Sequence, residues 1–238
     1  MTNSGKRKVV PSGQPQSVDS FLSQVARVPA VPTAARGRLI FAMDATASRE
    51  PTWREARRQQ SAMFDAAAQT GGLSLQLCYY RGLADFSASS WLSDADTLKS
   101  RMGQVECVGG YTQIVRLLEH ALEEARRQRI NAVVFIGDCV EENPDILSHL
   151  AGQLGVLNTP LFLFQEGHDA NADRVFRQLA QLSGGAHCRF DAGSADQLRQ
   201  LLGAIAAYAS GGFPALERYG LAQGGLALQL THQLGPSK

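Results

Sequence analysis

Apolar and polar positions along this chain follow two alternating rhythms. Short apolar runs lie within RLIFAM (residues 38–43), AVVFIG (132–137) and TPLFLFQ (159–165). Runs this short and this unbroken predict strands covered on both faces. LSLQLCYY (73–80) alternates apolar and polar positions as a strand does, and AHCRF (186–190) predicts a further short strand.

Helical spacing separates these runs. Residues 51–72 predict a helix with Thr52 and Glu55 as its capping box and with Trp53, Ala56, Gln60, Met63, Phe64 and Ala67 on one face. The Gly71-Gly72 pair ends it. A second helix is predicted over 113–127, where Ile114, Leu117, Leu118, Ala121, Leu122 and Ala125 recur at i, i+3, i+4, i+7, i+8 and i+11. Asn143 and Pro144 suit the N-cap and first positions of a helix reaching about Leu154. NADRVFRQLAQLSGG (171–185) predicts another, and Ser194 with Gln197 boxes the start of a last helix through about Ala209, stopped by Gly211-Gly212. The stretch 81–110 is the least regular and predicts a short helix (95–102) and an edge strand (105–108). Strands alternating with helices of this length predict a doubly wound, mainly parallel α/β sheet with helices on both faces.

Residues 1–36 are rich in Ser, Pro, Gly and Gln and are expected to form a mobile N-terminal segment. Within them VDSFLSQVARV spaces Val18, Phe21, Leu22 and Val25 as a helix does, either docking on the domain or binding a partner. One domain is expected over 37–212, followed by a tail, 213–238, whose mixed pattern predicts no element.

The chain has 238 residues, and 23 Lys and Arg against 22 Asp and Glu leave a net charge of +1. That balance predicts no nucleic-acid partner and no anionic membrane. The basic clusters REARRQQ and EEARRQR both contain acids and read as solvated helix faces. No apolar run approaches the roughly 20 residues that span a bilayer. The basic N-terminal cluster has no apolar stretch behind it, so no secretory signal is predicted. Cys78, Cys107, Cys139 and Cys188 are widely spaced, without C-x-x-C, as expected for reduced thiols of a cytoplasmic protein.

Chemistry concentrates where RLIFAMDATAS turns polar. Asp44, Thr46 and Ser48 are hard oxygen donors on alternate positions just beyond a predicted strand. Ligands of open α/β sheets bind at the carboxyl ends of the strands, where strand order reverses. AVVFIGD places Asp138 at that same edge, and CVGGYTQI places Thr112 at the start of the second strong helix. If the two aspartate-bearing strands are neighbours, Asp44, Thr46, Ser48, Thr112 and Asp138 converge. Such a donor set suits Mg²⁺ or Mn²⁺, which removes the repulsion between the two aspartates. Each residue alone is an ordinary turn former; five on three correctly ordered loops point to a metal site.

The set D-x-[ST]-x-S, then Thr, then Asp, resembles the von Willebrand factor type A (VWA) domain with its metal-ion-dependent adhesion site, over roughly residues 38–209. The wording of the first loop and of YYRG resembles a bacterial, intracellular branch of the family. The resemblance implies a non-catalytic module in which Thr46 and Ser48 bind the metal directly. Thr112 joins them or steps away as the domain changes state, and Asp44 and Asp138 bind directly or through water. It also implies a partner protein that fills the open metal position with an Asp or Glu, for example within an ATPase or chaperone assembly. Thr46 stands where serine is usual and Cys139 where glycine is common. Glu141 and Glu142 are either outer contacts of the metal or an acidic first turn favoured by the helix dipole. Arg81 and Asp85, in YYRGLADF, are candidates for the partner rim. Cys139 reads as a packed side chain or as a reactive thiol near a helix start.

The enzymatic alternative is a metal-dependent hydrolase or phosphatase of the haloacid dehalogenase type. That chemistry uses D-x-D-x-[TV], and here Thr46 occupies the place of the second aspartate. No phosphate-loop motif is present, the five histidines lack metal spacing, and adjacent His187 and Cys188 point to opposite faces of a strand.

Overall fold

The computed structural model describes residues 36–67, 72–190 and 195–223. The helix expected over 18–25 and the cap expected at Ser194 lie outside the described residues. Among those described, six strands form one sheet: β1 (Gly37–Asp44), β2 (Leu73–Arg81), β3 (Asp85–Ala88), β4 (Ala132–Gly137), β5 (Leu161–Glu166) and β6 (Ala186–Phe190). The order is β3-β2-β1-β4-β5-β6, with every pairing parallel except the β2–β3 hairpin. β1 and β4 are therefore neighbours, and the strand order reverses between them.

Successive residues of β1 feed opposite layers, as a pleated strand requires. Leu39, Phe41 and Met43 join a core closed by α1 (Glu50–Gln59), α2 (Ser61–Ala67), α3 (Ala95–Gly103) and α7 (Ala195–Gln223). Ile40 and Ala42 join the other, closed by α4 (Ile114–Arg127), α5 (Pro144–Val156) and α6 (Ala170–Ser183). α4 buries Ile114, Leu117, Leu118, Ala121 and Leu122 along one stripe. Each of these leucine and isoleucine side chains removed from water contributes about 1.5–3 kcal/mol before the entropy of ordering is counted.

Four local expectations are corrected. The helix expected over 51–72 is two helices, α1 and α2, with a break at Gln60. It starts at Glu50 with Pro51 in its first turn, and Arg49 at its N-cap makes no side-chain cap bond. The Thr52–Glu55 capping box does not form: the Thr52 hydroxyl donates to Glu166, and Glu55 accepts from Gln59. Residues 105–108 are not an edge strand. They dock across the ends of β1 and β2 through Val108 N–H to Ala45 O and Gly82 N–H to Val108 O, while the edge position beside β2 belongs to β3.

Gly211-Gly212 makes a kink rather than an end. Gly212 has φ 68° and ψ −163°, a conformation that favours glycine, and helical structure resumes through Gln223. Leu216 is buried and Tyr219 packs against the same core beside Gly203.

Candidate metal site at the carboxyl edge of the sheet

β1 delivers Asp44 to the switch point with 1% of its surface exposed. Beyond it the backbone bends, and a short 3-10 turn, Ala47–Arg49, follows. Asp44 sets this bend: its Oδ1 accepts the Thr46 N–H at 2.7 Å, an Asx-type turn. Its Oδ2 accepts the Tyr80 hydroxyl at 3.2 Å. Burial pushes the Asp44 carboxyl above the usual carboxylate range; the Thr46 bonds oppose that shift, and the nearby charge of Asp138 adds to it.

The hydroxyls follow in line. Thr46 Oγ1 lies 3.3 Å from Ser48 Oγ, and Ser48 Oγ donates to Asp138 Oδ2 at 3.5 Å, the outer limit of a hydrogen bond. Asp138, in the first position after β4, also accepts an ion pair from Arg49 Nη2 at 3.2 Å through that same oxygen. Its other oxygen, Oδ1, is buried and accepts no hydrogen bond. A buried carboxylate oxygen left unpaired costs free energy, and a cation is one partner that removes the cost.

Asp44, Thr46, Ser48 and Asp138 thus form one connected group. Thr112 is placed on the neighbouring loop, 6% exposed, and bonds elsewhere. Its N–H donates to Glu141 Oε2 at 2.8 Å, and its hydroxyl accepts the Glu141 N–H at 3.1 Å. Glu142 accepts the N–H groups of Ile114 at 2.8 Å and Val115 at 2.7 Å. The two acids therefore serve a helix dipole, but that of α4 rather than of the helix that follows them in the chain.

Arg81 and Asp85 pair at 2.7 Å across the β2–β3 hairpin, and Arg81 also donates to Glu106 O, so together they bind the hairpin to the loop 105–113. Gly110 lies against the Gly82 backbone with no room for a Cβ. The rim so formed exposes Leu83 (75%), Val108 (44%) and Tyr111 (60%). Cys139 is half-buried; burial, and after it the charge of Asp138, pushes its thiol up to about 12, so it is not a thiolate at neutral pH.

Sequence reasoning missed Arg49 and Glu166, and it gave Thr52 to a capping box and Tyr80 to the strand end beside the rim rather than to their partners Glu166 and Asp44. Arg49 Nη1 reaches Glu166 Oε2 at 2.5 Å, joining the ends of β4 and β5 to the first loop. Nothing local marks these residues, because their partners lie 36 to 117 positions away. The residues present fit a hard divalent cation: two carboxylates, one of them with an unpaired buried oxygen, and two hydroxyls, with no soft ligand among them.

No family model and no curated protein sequence matches the chain. Solved structures do. A von Willebrand factor type A protein from Catenulispora acidiphila aligns with TM-score 0.61 and 15% identity over 74% of this chain and 43% of its own. The SpRpn10 VWA domain aligns with TM-score 0.55 and 12% identity over 70% of this chain and 95% of its own. Proximal thread matrix protein 1 from the mussel byssus, with a zinc-occupied MIDAS motif, aligns with TM-score 0.54 and 13% identity over 74% of this chain and 47% of its own. The chain thus spans less than half of the first and third of these proteins. Among the described residues no helix is long and apolar enough to cross a membrane. At such low identity the likeness is one of architecture, and it establishes that this chain has the VWA fold.

Proposed function

We propose that the protein is a non-catalytic, divalent-metal-dependent protein-interaction module of the metal-ion-dependent adhesion type, working in a bacterial cytoplasm. The observation that carries this reading is the unpaired, buried Oδ1 of Asp138, whose other oxygen, Oδ2, ends a hydrogen-bonded line from Asp44 through Thr46 and Ser48 at the switch point of the sheet. Asp44, Thr46, Ser48 and Asp138 would hold Mg²⁺ or Mn²⁺, with Thr112 available from the adjoining loop. The metal would supply a positive charge and an open position for an Asp or Glu side chain of another protein.

The zinc in the MIDAS motif of the mussel protein supports a metal in this class of site, and the all-oxygen donors here favour a harder ion. The exposed Leu83, Val108 and Tyr111 beside the site suit a partner whose acidic residue is flanked by apolar ones. By likeness to intracellular VWA proteins, that partner belongs to a multi-protein assembly such as an ATPase or chaperone system.

Calorimetric titration with Mg²⁺ and Mn²⁺, followed by capture from the native cytoplasm in Mg²⁺ or EDTA, tests the reading. Wild type is expected to bind one ion and to retain a partner only with metal, and folded Asp44→Ala is expected to do neither. Equal capture with metal, with EDTA and with Asp44→Ala would overturn metal dependence. Metal-dependent turnover in a phosphatase screen would overturn the non-catalytic reading.

A further inference from the structure

We infer that Arg49 is the resident counter-cation of this site, holding Asp138 and Glu166 in place when no divalent ion is bound and competing with that ion for Asp138. The second half of this inference rests on the metal reading above; the first half does not.

Arg49 is 8% exposed, at the end of the short turn after Ser48. Its guanidinium reaches Asp138 Oδ2 at 3.2 Å and Glu166 Oε2 at 2.5 Å, and the Thr52 hydroxyl donates to that same Glu166 oxygen. One cation thereby joins the loops that follow β1 and β4 to the last residue of β5. Removing an arginine from water is costly, and the cost is recovered only through close partners. Arg49 has two carboxylates, yet its Nε is buried without a hydrogen-bond acceptor. The fork is only partly satisfied, so this ion pair is not the best resting place the residue could have.

The demands on Asp138 conflict. Its Oδ2 already serves Arg49 and Ser48, while its Oδ1 has no partner. A divalent ion drawn to Asp138 meets the like charge of Arg49 close by, and like charges in a partly desolvated site repel by several times what they would in water. In formal charge, Asp44, Asp138 and Glu166 set three carboxylates against the one cation of Arg49, and the remaining two charges match what one divalent ion supplies. Arg49 thus makes the metal-free site tolerable and lowers the affinity of the loaded one. A purely structural ion pair would stabilise the fold without lowering metal affinity, and this separates the two possibilities.

The experiment uses the full chain as wild type, Arg49→Met, Arg49→Lys, Asp138→Asn and the Arg49→Met/Asp138→Asn double variant. Thermal melting in EDTA reads the first half. Arg49→Met is expected to melt about 5 °C or more below wild type, and Asp138→Asn is expected to recover part of that loss in the double variant. Additive losses would overturn the role of Arg49 as counter-cation to Asp138.

Calorimetry with Mg²⁺ and Mn²⁺ reads the second half. Arg49→Met is expected to bind about tenfold more tightly than wild type, while Arg49→Lys, which keeps the charge, stays near wild type. Equal or weaker binding by Arg49→Met would overturn the competition. If Arg49→Met folds only in Mg²⁺, that rescue supports the proposal; if it folds in neither condition, the charge-keeping Arg49→Lys decides, and a metal affinity well above wild type would overturn it. If no variant binds either ion, the metal reading fails and the competition with it, while the coupling in EDTA still decides the first half.

Discussion

Substitution of Glu142 by alanine tests how the site is held. The Glu142 carboxylate accepts two backbone N–H groups, from Ile114 at 2.8 Å and Val115 at 2.7 Å, at the start of α4. Gln113, at the N-cap, makes no side-chain bond there, so Glu142 caps the helix from a different loop. Hydrogen bonds to a charged group contribute about 1.5–3 kcal/mol each when well shielded, and loss of a helix cap costs about 1 kcal/mol. Glu142 is partly exposed, so water can reach some of what the truncation uncovers. A net loss of about 2 kcal/mol follows, or roughly 4–8 °C in melting temperature for a domain of this size.

Glu142→Gln keeps one acceptor and is expected to lose about half as much. Circular dichroism melts in EDTA, with urea midpoints as a second measure, provide the assay. Thr112 lies two residues before Ile114, so Glu142→Ala is also expected to weaken Mg²⁺ binding by loosening that loop. A loss below about 0.5 kcal/mol, the ordinary range of a surface substitution, would refute the argument. The start of α4 would then be held by the burial of Ile114 and Leu117 rather than by the carboxylate.

Two further outcomes are expected. Because burial raises the pKa of Asp44, its charge opposes folding at neutral pH; Asp44→Asn should therefore melt above wild type in EDTA while losing the Mg²⁺-induced shift, and a variant that melts lower would contradict this. His187 is 1% exposed, and burial lowers its pKa to about 4 from an ordinary 6.5. The fold thus prefers the neutral ring, and the stability that follows from this, about 3 kcal/mol at most, is complete above pH 6.5 and lost as pH falls through about 4. Urea midpoints at about pH 7 and pH 4.5 should fall further for wild type than for His187→Leu; parallel falls would dismiss the ring as the cause.

Much of this architecture is legible without coordinates. RLIFAM and AVVFIG are buried on both faces because both faces of their sheet carry helices, and unbroken apolar runs are the direct signature of that condition. The stripe from Ile114 to Leu122 is equally plain, since one helix face is a local property. The placement of Asp44 and Asp138 at one edge follows from a rule of parallel sheets that needs only the strand assignments. Legibility ends where local patterns have two solutions. Residues 105–108 look like a strand, but the hydrogen-bonding edge of β2 is taken by the hairpin partner β3, and the loop is left to bridge Ala45 and Gly82. Thr52 and Glu55 have the spacing of a capping box, yet Pro51 lets the helix begin earlier and Glu166 draws the Thr52 hydroxyl away.

By itself, the sequence determined the doubly wound α/β class, the faces of the main helices and the polar residues at the ends of β1 and β4, because each depends on periodicity within one segment. Only the tertiary structure decided which charges meet. Arg49 pairs across 89 residues with Asp138 and 117 with Glu166, Tyr80 finds Asp44 from the neighbouring strand, and Glu141 and Glu142 serve the helix before them rather than the one after. Such pairings are set by the order of strands in the sheet, and a side chain's partner in space leaves no mark on its neighbours in the chain.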